Sequence, residues 1–195
     1  HGHGHGHGHG HGHGDDADDD ASLPGSIPSQ YGAEDLANNG GLPTLTDIML
    51  LEASAADDAD QIDYIDIVNK MFVRPTTAKL DFGEGRAGIS LFDAKARSFP
   101  YVVDMVERHP EGSQAFIPLD GVPMLVVVAD DENSQPVNLK AFISQPGQAI
   151  NLYRGTWHGV LAPLWQAGRY AVVDRIGEGT NLEEHWFPDP WTVEA

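Results

Sequence analysis

The sequence contains no cysteine, which removes disulfide scaffolds and thiolate metal sites from consideration. It has no apolar run near the ~18 residues that a membrane-spanning helix needs. Cations are scarce, with 11 Lys and Arg against 30 Asp and Glu and a formal charge of −19. So few basic residues cannot make the footprint that nucleic acid or an anionic membrane surface requires. Neither is an expected partner. The sequence also shows no charged-then-apolar stretch of the secretory kind, and with the missing cysteine this points to a cytoplasmic protein.

What is present divides into three parts. Residues 1–14 are seven His-Gly pairs, and Asp15 to Asp20 add five carboxylates in six positions. Such a stretch has no apolar face with which to offset its ordering entropy. Residues 1–20 are therefore expected to be a disordered, dispensable tag and acidic tail. Residues 21–60, rich in Gly, Pro, Ser, Asn and Asp, read as an acidic linker or loosely packed N-terminal extension. One apolar patch, Ile48 to Leu51, interrupts it as a candidate strand or helical turn. Between Asp15 and Asp66 there are 14 acidic residues and no Lys or Arg, so the body of the chain is only mildly acidic.

Residues 61–195 read as one folded domain. Short apolar runs alternate with turn signals: Gly88 to Phe92, Tyr101 to Val106, Gln114 to Pro118, Met124 to Ala129, Leu139 to Ile143, Ala149 to Leu152, Val160 to Leu164 and Arg169 to Val173. Asp63 to Val68 alternates loosely. Pro110-Glu111-Gly112, Asp120-Gly121, Asp130 to Pro136 and Pro146-Gly147 punctuate them. Many short strands at regular spacing, with no long 3.6-residue period, predict an all-β barrel or sandwich with few short helices.

Three histidines lie outside the tail. His109 and His158 each precede a candidate strand, whereas His185 has no such setting and reads as structural or exposed. Glu107-x-His109, then four residues, Gln114, six residues and Gly121 occupy the frame of the first cupin motif. Tyr153-x-Gly155-x-x-His158 occupies that of the second, with Tyr in place of Pro. If a metal is present, Glu107, His109, Gln114 and His158 would hold it, and such a donor set suits nickel, zinc or manganese. The same groups equally make a metal-free polar pocket in a barrel mouth, and the expectation is that no metal is required.

Read whole, the segments resemble the bacterial ureidoglycolate lyases. The resemblance rests on Glu107-Arg108-His109-Pro110-x-Gly112-x-Gln114-Ala115-Phe116-Ile117-Pro118, on the apolar Met124 to Ala129 with its acidic loop, and on Leu139-Lys140-Ala141-Phe142-Ile143. Gly147 to Asn151 leading into Trp157-His158, Asp174-Arg175 with Asn181, and Asn69 with Arg74 extend it from about Ile62 to Glu184. Departures are Lys140 where relatives usually carry Arg, Gly159 and Tyr153 where some carry His, Lys70 in place of a glycine, and Asp93 where Arg is common.

The resemblance implies a cupin-like jelly-roll barrel, a homodimer, and a lyase releasing glyoxylate and urea from ureidoglycolate in allantoin and purine breakdown. Elimination from this carbinolamide needs a base for the hydroxyl proton and an acid for the departing nitrogen. His158 and Glu107 are the candidate acid-base pair, with His109 as substitute for either. Lys140 and Arg74 are candidates for the substrate carboxylate, Gln114 for the ureido group, and Tyr153 as a further substrate contact. The competing readings are a non-catalytic cupin binding a small carboxylate or sugar, and a metal-dependent cupin enzyme acting on another hydroxy acid. On blander readings, Glu107 and Arg108 form an ion pair, as do Asp174 and Arg175.

Overall fold

The computed structural model describes residues 48–50, 61–67 and 77–195. The expectations for Asn69, Lys70, Arg74 and the N-terminal tail fall outside them. Twelve strands are formed: β1 Ile48–Leu50, β2 Ile62–Ile65, β3 Arg86–Ala94, β4 Tyr101–Arg108, β5 Gln114–Pro118, β6 Met124–Glu132, β7 Gln135–Ile143, β8 Ala149–Leu152, β9 Trp157–His158, β10 Ala162–Pro163, β11 Gly168–Ile176 and β12 Glu183–Glu194. The few short helices expected do not occur among the described residues, and no helix there is long and apolar enough to cross a membrane.

The strands make two sheets. One runs β1-β12-β4-β9-β6-β10, with β7 on the free side of β6; the other runs β2-β8-β5-β11-β3. All pairings are antiparallel except β1 with β12. This is the expected all-β class, built from two sheets.

Strand β6 explains the continuous apolar run in the sequence, because it is buried on both faces. Met124, Val126 and Val128 join Phe116, Ile150, Leu152, Tyr170 and Val172 of the second sheet in one core cluster. Leu125, Val127 and Ala129 point the other way, into a second cluster with Val103, Trp157 and Val193. Each buried aliphatic side chain contributes about 1.5–3 kcal/mol relative to exposure. Together the two clusters fix which face of each strand looks inward.

Two stretches differ from the sequence reading. Asp130 to Pro136 is not a loop: β6 and β7 run on through it to a two-residue turn in which Asn133 and Ser134 both have positive φ. That is the geometry of a tight hairpin turn, and Pro136 is tolerated because β7 is an edge strand. Strand β12 was hidden by Pro188-Asp189-Pro190, which the fold absorbs in a register shift between Trp186 and Trp191. Phe187 and Trp191 consequently pack on the chain's own core, leaving Trp186 as the exposed member of the C-terminal aromatic set. His185 is structural, stacked edge-on between Trp157 and Phe187.

The inner cluster carries a direct test. Ile150 is 2% exposed at its centre. Ile150→Ala is expected to cost about 2–5 kcal/mol, measured as a lower urea midpoint with an unchanged slope. A midpoint within error of the parent would mean that the sheets do not pack through this residue.

Candidate functional site

Cross-strand pairing aligns five residues in one row across the larger sheet. Glu184 of β12 faces Glu107 of β4, Glu107 faces His158 of β9, His158 faces Val128 of β6, and Val128 faces Lys140 of β7. Residues directly opposite one another share a face of the sheet, and Val128 belongs to the cluster between the sheets. Glu107, His158 and Lys140 are therefore directed toward the second sheet. Arg108 and Trp157, one position along, are directed away from it.

The second sheet answers from the opposite side. Gln114 precedes inward-facing Phe116 by two, and Asp174 follows inward-facing Val172 by two, so both share the inner face. The Val172–Phe116 register makes them cross-strand neighbours.

Three crossovers between the sheets meet at this end: residues 109–113, 153–156 and 177–182. They are bound to one another. Gly155 N–H donates to the His109 carbonyl at 3.0 Å. Asn181 accepts from Glu111 N–H with its side chain at 2.8 Å, and its backbone carbonyl meets His109 Nδ1 at 2.7 Å. Arg154 ties the same corner through Pro110 O at 2.7 Å. The position of His109 thus depends on two other chain segments.

Glu107, His109 and His158 converge, with one donor atom from each within 4.8 Å of the others. His109 Nε2 lies 3.8 Å from Glu107 Oε1, and the two imidazole centroids are 5.3 Å apart. Each Nδ1 faces a carbonyl oxygen, Asn181 for His109 and Gly159 for His158. A carbonyl only accepts, so each Nδ1 carries a proton, and in a neutral His158 the lone pair is on Nε2. Both Nε2 atoms are buried without a partner. An apolar crevice lined by Phe116, Met124, Val126, Ile150 and Leu152 adjoins His158.

Burial dominates the electrostatics. It pushes His158 down to about 3, with His109 reinforcing the shift and the Gly159 carbonyl opposing it. It also raises Glu107, helped by Glu184 and opposed by His109. Asp174 is raised by burial too, against the Gln114 hydrogen bond and the charge of His109. All three shifts favour neutral forms, as desolvation does.

The comparisons with known proteins agree on one family. The family model described as ureidoglycolate lyase matches residues 60–194. A ureidoglycolate lyase of Rhodobacter capsulatus is 64% identical over 119 residues, spanning 60% of this chain and 74% of that one. One from Chelativorans is 46% identical over 118 residues, 60% of this chain and 72% of that one. Ureidoglycolate lyase 2 of Rhizobium meliloti is 50% identical over 111 residues, 57% and 68%. The chain belongs to the ureidoglycolate lyase family. Among solved structures, RmlC from Streptococcus suis in complex with dTDP-D-xylose overlaps 49% of this chain and 47% of its own, with a TM-score of 0.38 and 14% identity.

For this family member, the structure brings Glu107, His109 and His158 together, with Lys140 on the row of His158 and Gln114 on the inner face of the second sheet. It does not bring in Tyr153. Next to inward-facing Leu152, Tyr153 turns outward and gives its hydroxyl proton to Asp63. Burial pushes the Asp63 carboxyl up, but bonds from Lys79 N–H, Tyr153 and Asn151 outweigh it and hold Asp63 below the usual range. Two expected ion pairs are also replaced. Arg108 pairs with Glu183 at 2.6 Å and Asp131 at 2.8 Å rather than with Glu107. Asp174 and Arg175, adjacent in one strand, face opposite sides, and Arg175 donates to the Glu178 carbonyl. Asp174 and Asn181 are the residues that sequence reasoning left without a role. The alternation Tyr170, Val172, Asp174 was the available signal for the first.

The neutral state of His158 can be tested without substrate. In the unfolded chain this imidazole titrates near 6.5, so between pH 6.5 and about 3 the unfolded chain holds a proton that the folded one excludes. Stability contributed by this group is therefore lost as pH falls through that window, by up to about 1.4 kcal/mol per pH unit. His158→Asn should flatten the fall in urea midpoint between pH 6.5 and 4.5. Equal slopes in the two proteins would show that His158 is not held neutral.

Proposed function

We propose that this lyase-family enzyme cleaves ureidoglycolate to glyoxylate and urea. The observation that carries the reading is the convergence of Glu107, His109 and His158 with two unpartnered Nε2 atoms at the end of an inter-sheet crevice. In this reading His109 Nε2 takes the hydroxyl proton as the carbonyl of glyoxylate forms and the carbon–nitrogen bond breaks. Protonated Glu107 gives its proton to the departing urea nitrogen, which leaves poorly as an anion. His109 then returns its proton to Glu107, 3.8 Å away, and the site is reset. His158, too weak a base for the main transfer, accepts a hydrogen bond at Nε2. The division of labour moves His109 from substitute to principal base.

Lys140 is the described candidate for the substrate carboxylate. It stands two strands from His158 on the same row, about 10 Å between backbones, within reach of a small acid lying between them. Arg74 remains a second candidate. A divalent ion also fits the donor set: Glu107, His109 and His158 would hold it, and it would supply Lewis acidity toward a substrate oxygen. The proton cycle above needs none.

The reading carries with it a cytoplasmic homodimer in allantoin breakdown, as the family resemblance implies. A dimer is supported by the free edge of β3, where Ile89 is 73% and Leu91 72% exposed, an arrangement that isolated edge strands rarely leave uncovered. A monomer mass in light scattering at micromolar concentration would exclude it.

A coupled assay for glyoxylate and urea tests the chemistry. His109→Ala and Glu107→Gln should each lower kcat by roughly 100-fold or more, the usual worth of a general acid or base; His158→Ala, which loses only a hydrogen bond, should cost roughly tenfold, and Lys140→Ala should raise KM first. Prolonged chelation of protein lacking the His-Gly tail should leave turnover largely intact. Collapse on chelation with recovery on adding nickel or manganese would replace the metal-free cycle. An intact protein that binds glyoxylate yet releases no urea would sink the lyase reading itself.

A further inference from the structure

The crossover at residues 177–182 carries β11 into β12 and is pinned near both of its ends. Near its start, the Arg175 guanidinium donates to the Glu178 carbonyl at 3.1 Å. It lies so close to Gly177 that an added Cβ there would stand 2.6 Å from its central carbon. Near its end, half-buried Asn181 presents two acceptors to one turn of another crossover. Its side-chain Oδ1 accepts from Glu111 N–H at 2.8 Å, and its backbone carbonyl accepts from His109 Nδ1 at 2.7 Å. Pro110 stands between these two donors and has no N–H of its own, so Glu111 supplies the amide by which the side chain holds the turn. The two bonds bracket His109-Pro110-Glu111.

We propose that Asn181 is a positioning residue: its side-chain grip on Glu111 N–H keeps its own carbonyl against His109 Nδ1 and so fixes the tautomer and aim of that imidazole. Which ring nitrogen of a neutral imidazole carries the proton is set by the hydrogen bond the other makes. With the proton held at Nδ1, the accepting nitrogen is Nε2, 3.8 Å from Glu107 Oε1. The inference rests on the lyase reading in which His109 is the base, and it adds the residue that keeps that base competent. A backbone carbonyl cannot be removed by substitution, but its placement can be released. Once Oδ1 is gone, the side-chain bond between the two crossovers is gone with it. A ring that then turns, or moves its proton to Nε2, has no lone pair to offer the substrate hydroxyl. Misplacing a reacting group by about 1 Å can cost on the order of 100-fold. His158 is spared, because the carbonyl at its Nδ1 belongs to adjacent Gly159.

The test is made on the full chain. Asn181→Leu keeps the side-chain size and removes the acceptor; Asn181→Ala removes it with less bulk and gives the same reading if the leucine variant does not fold. Urea release from ureidoglycolate should lose roughly tenfold or more in kcat, with KM within about twofold of the parent. Asn181→Asp, which keeps an oxygen for Glu111 N–H, should recover most of the loss. The second readout is nuclear magnetic resonance of protein isotope-labelled at the histidine nitrogens and held at alkaline pH, where His109 is the signal lost in His109→Gln. Parent and Asn181→Asp should show His109 protonated at Nδ1 and bare at Nε2, whereas Asn181→Leu should shift it toward the other tautomer or an average of the two. A loss of stability alone would not move that signal. An unchanged tautomer in Asn181→Leu, an unchanged kcat, or a rise in KM as large as the fall in kcat would overturn the proposal. If the parent releases no urea, the lyase reading fails, while the tautomer measurement needs no substrate and still decides whether Asn181 sets the imidazole.

Discussion

The register of β4, β9 and β6 is the constraint on which the site depends. Glu107, His158 and Val128 share one cross-strand row, and Val128 is fully buried between the sheets. Because side chains alternate with period two, a slip of one residue would turn Glu107 and His158 toward the side that holds Arg108 and Trp157. That slip would also move Met124, Val126 and Val128 out of the core they share with Ile150 and Tyr170. The burial that stabilises the sheets therefore also aims the acid-base groups. A second lock lies on the far face, where Arg108 stacks 4.4 Å over Trp157 while Asp131 bonds both.

Desolvation then sets the chemistry. Two imidazoles and two carboxylates stand close together, and charging all of them in a buried space would be costly. The observed directions, His158 down and Glu107 and Asp174 up, all disfavour the charged forms. His109 differs from His158 in being placed by the Asn181 carbonyl and by contacts among three crossovers, so its lone pair is oriented by loops while that of His158 is oriented by the sheet.

Much of this was legible in the sequence, for a physical reason. Strands that bury one face write their alternation into the chain, and β5 and β8 fall on Gln114–Pro118 and Ala149–Leu152 as read. Strands whose signal is broken by function or by proline were not legible. Strand β9 is only Trp157–His158, too short for any period. The continuation of β6 and β7 past Ala129 is polar because it leaves the core, and β12 contains two prolines at a bulge. In the candidate site, Glu107, His109 and His158, which the structure brings together, were legible through motif spacing. Asp174 sat beside Arg175 and looked like half of an ion pair, because local sequence does not say that strand neighbours face opposite ways. Tyr153 fell in a motif frame but turns outward, since the chain has already left β8 there.

The departures from the relatives' pattern can now be weighed by position. Asp93 lies on exposed β3 opposite Arg169, and Tyr153 is engaged by Asp63 on the outer face. Gly159 packs against Val127, and an added Cβ would stand 3.2 Å from that side chain. None of the three enters the cluster of Glu107, His109 and His158. Lys140 is different, because it lies on the row of His158 and Glu107 where relatives usually carry arginine. A guanidinium grips a carboxylate with two parallel hydrogen bonds, whereas an ammonium is a compact point charge on a flexible stem. The exchange keeps attraction for the acid and gives up angular control over it. Angular control over the acid must then come from contacts to the rest of the substrate rather than from position 140 itself.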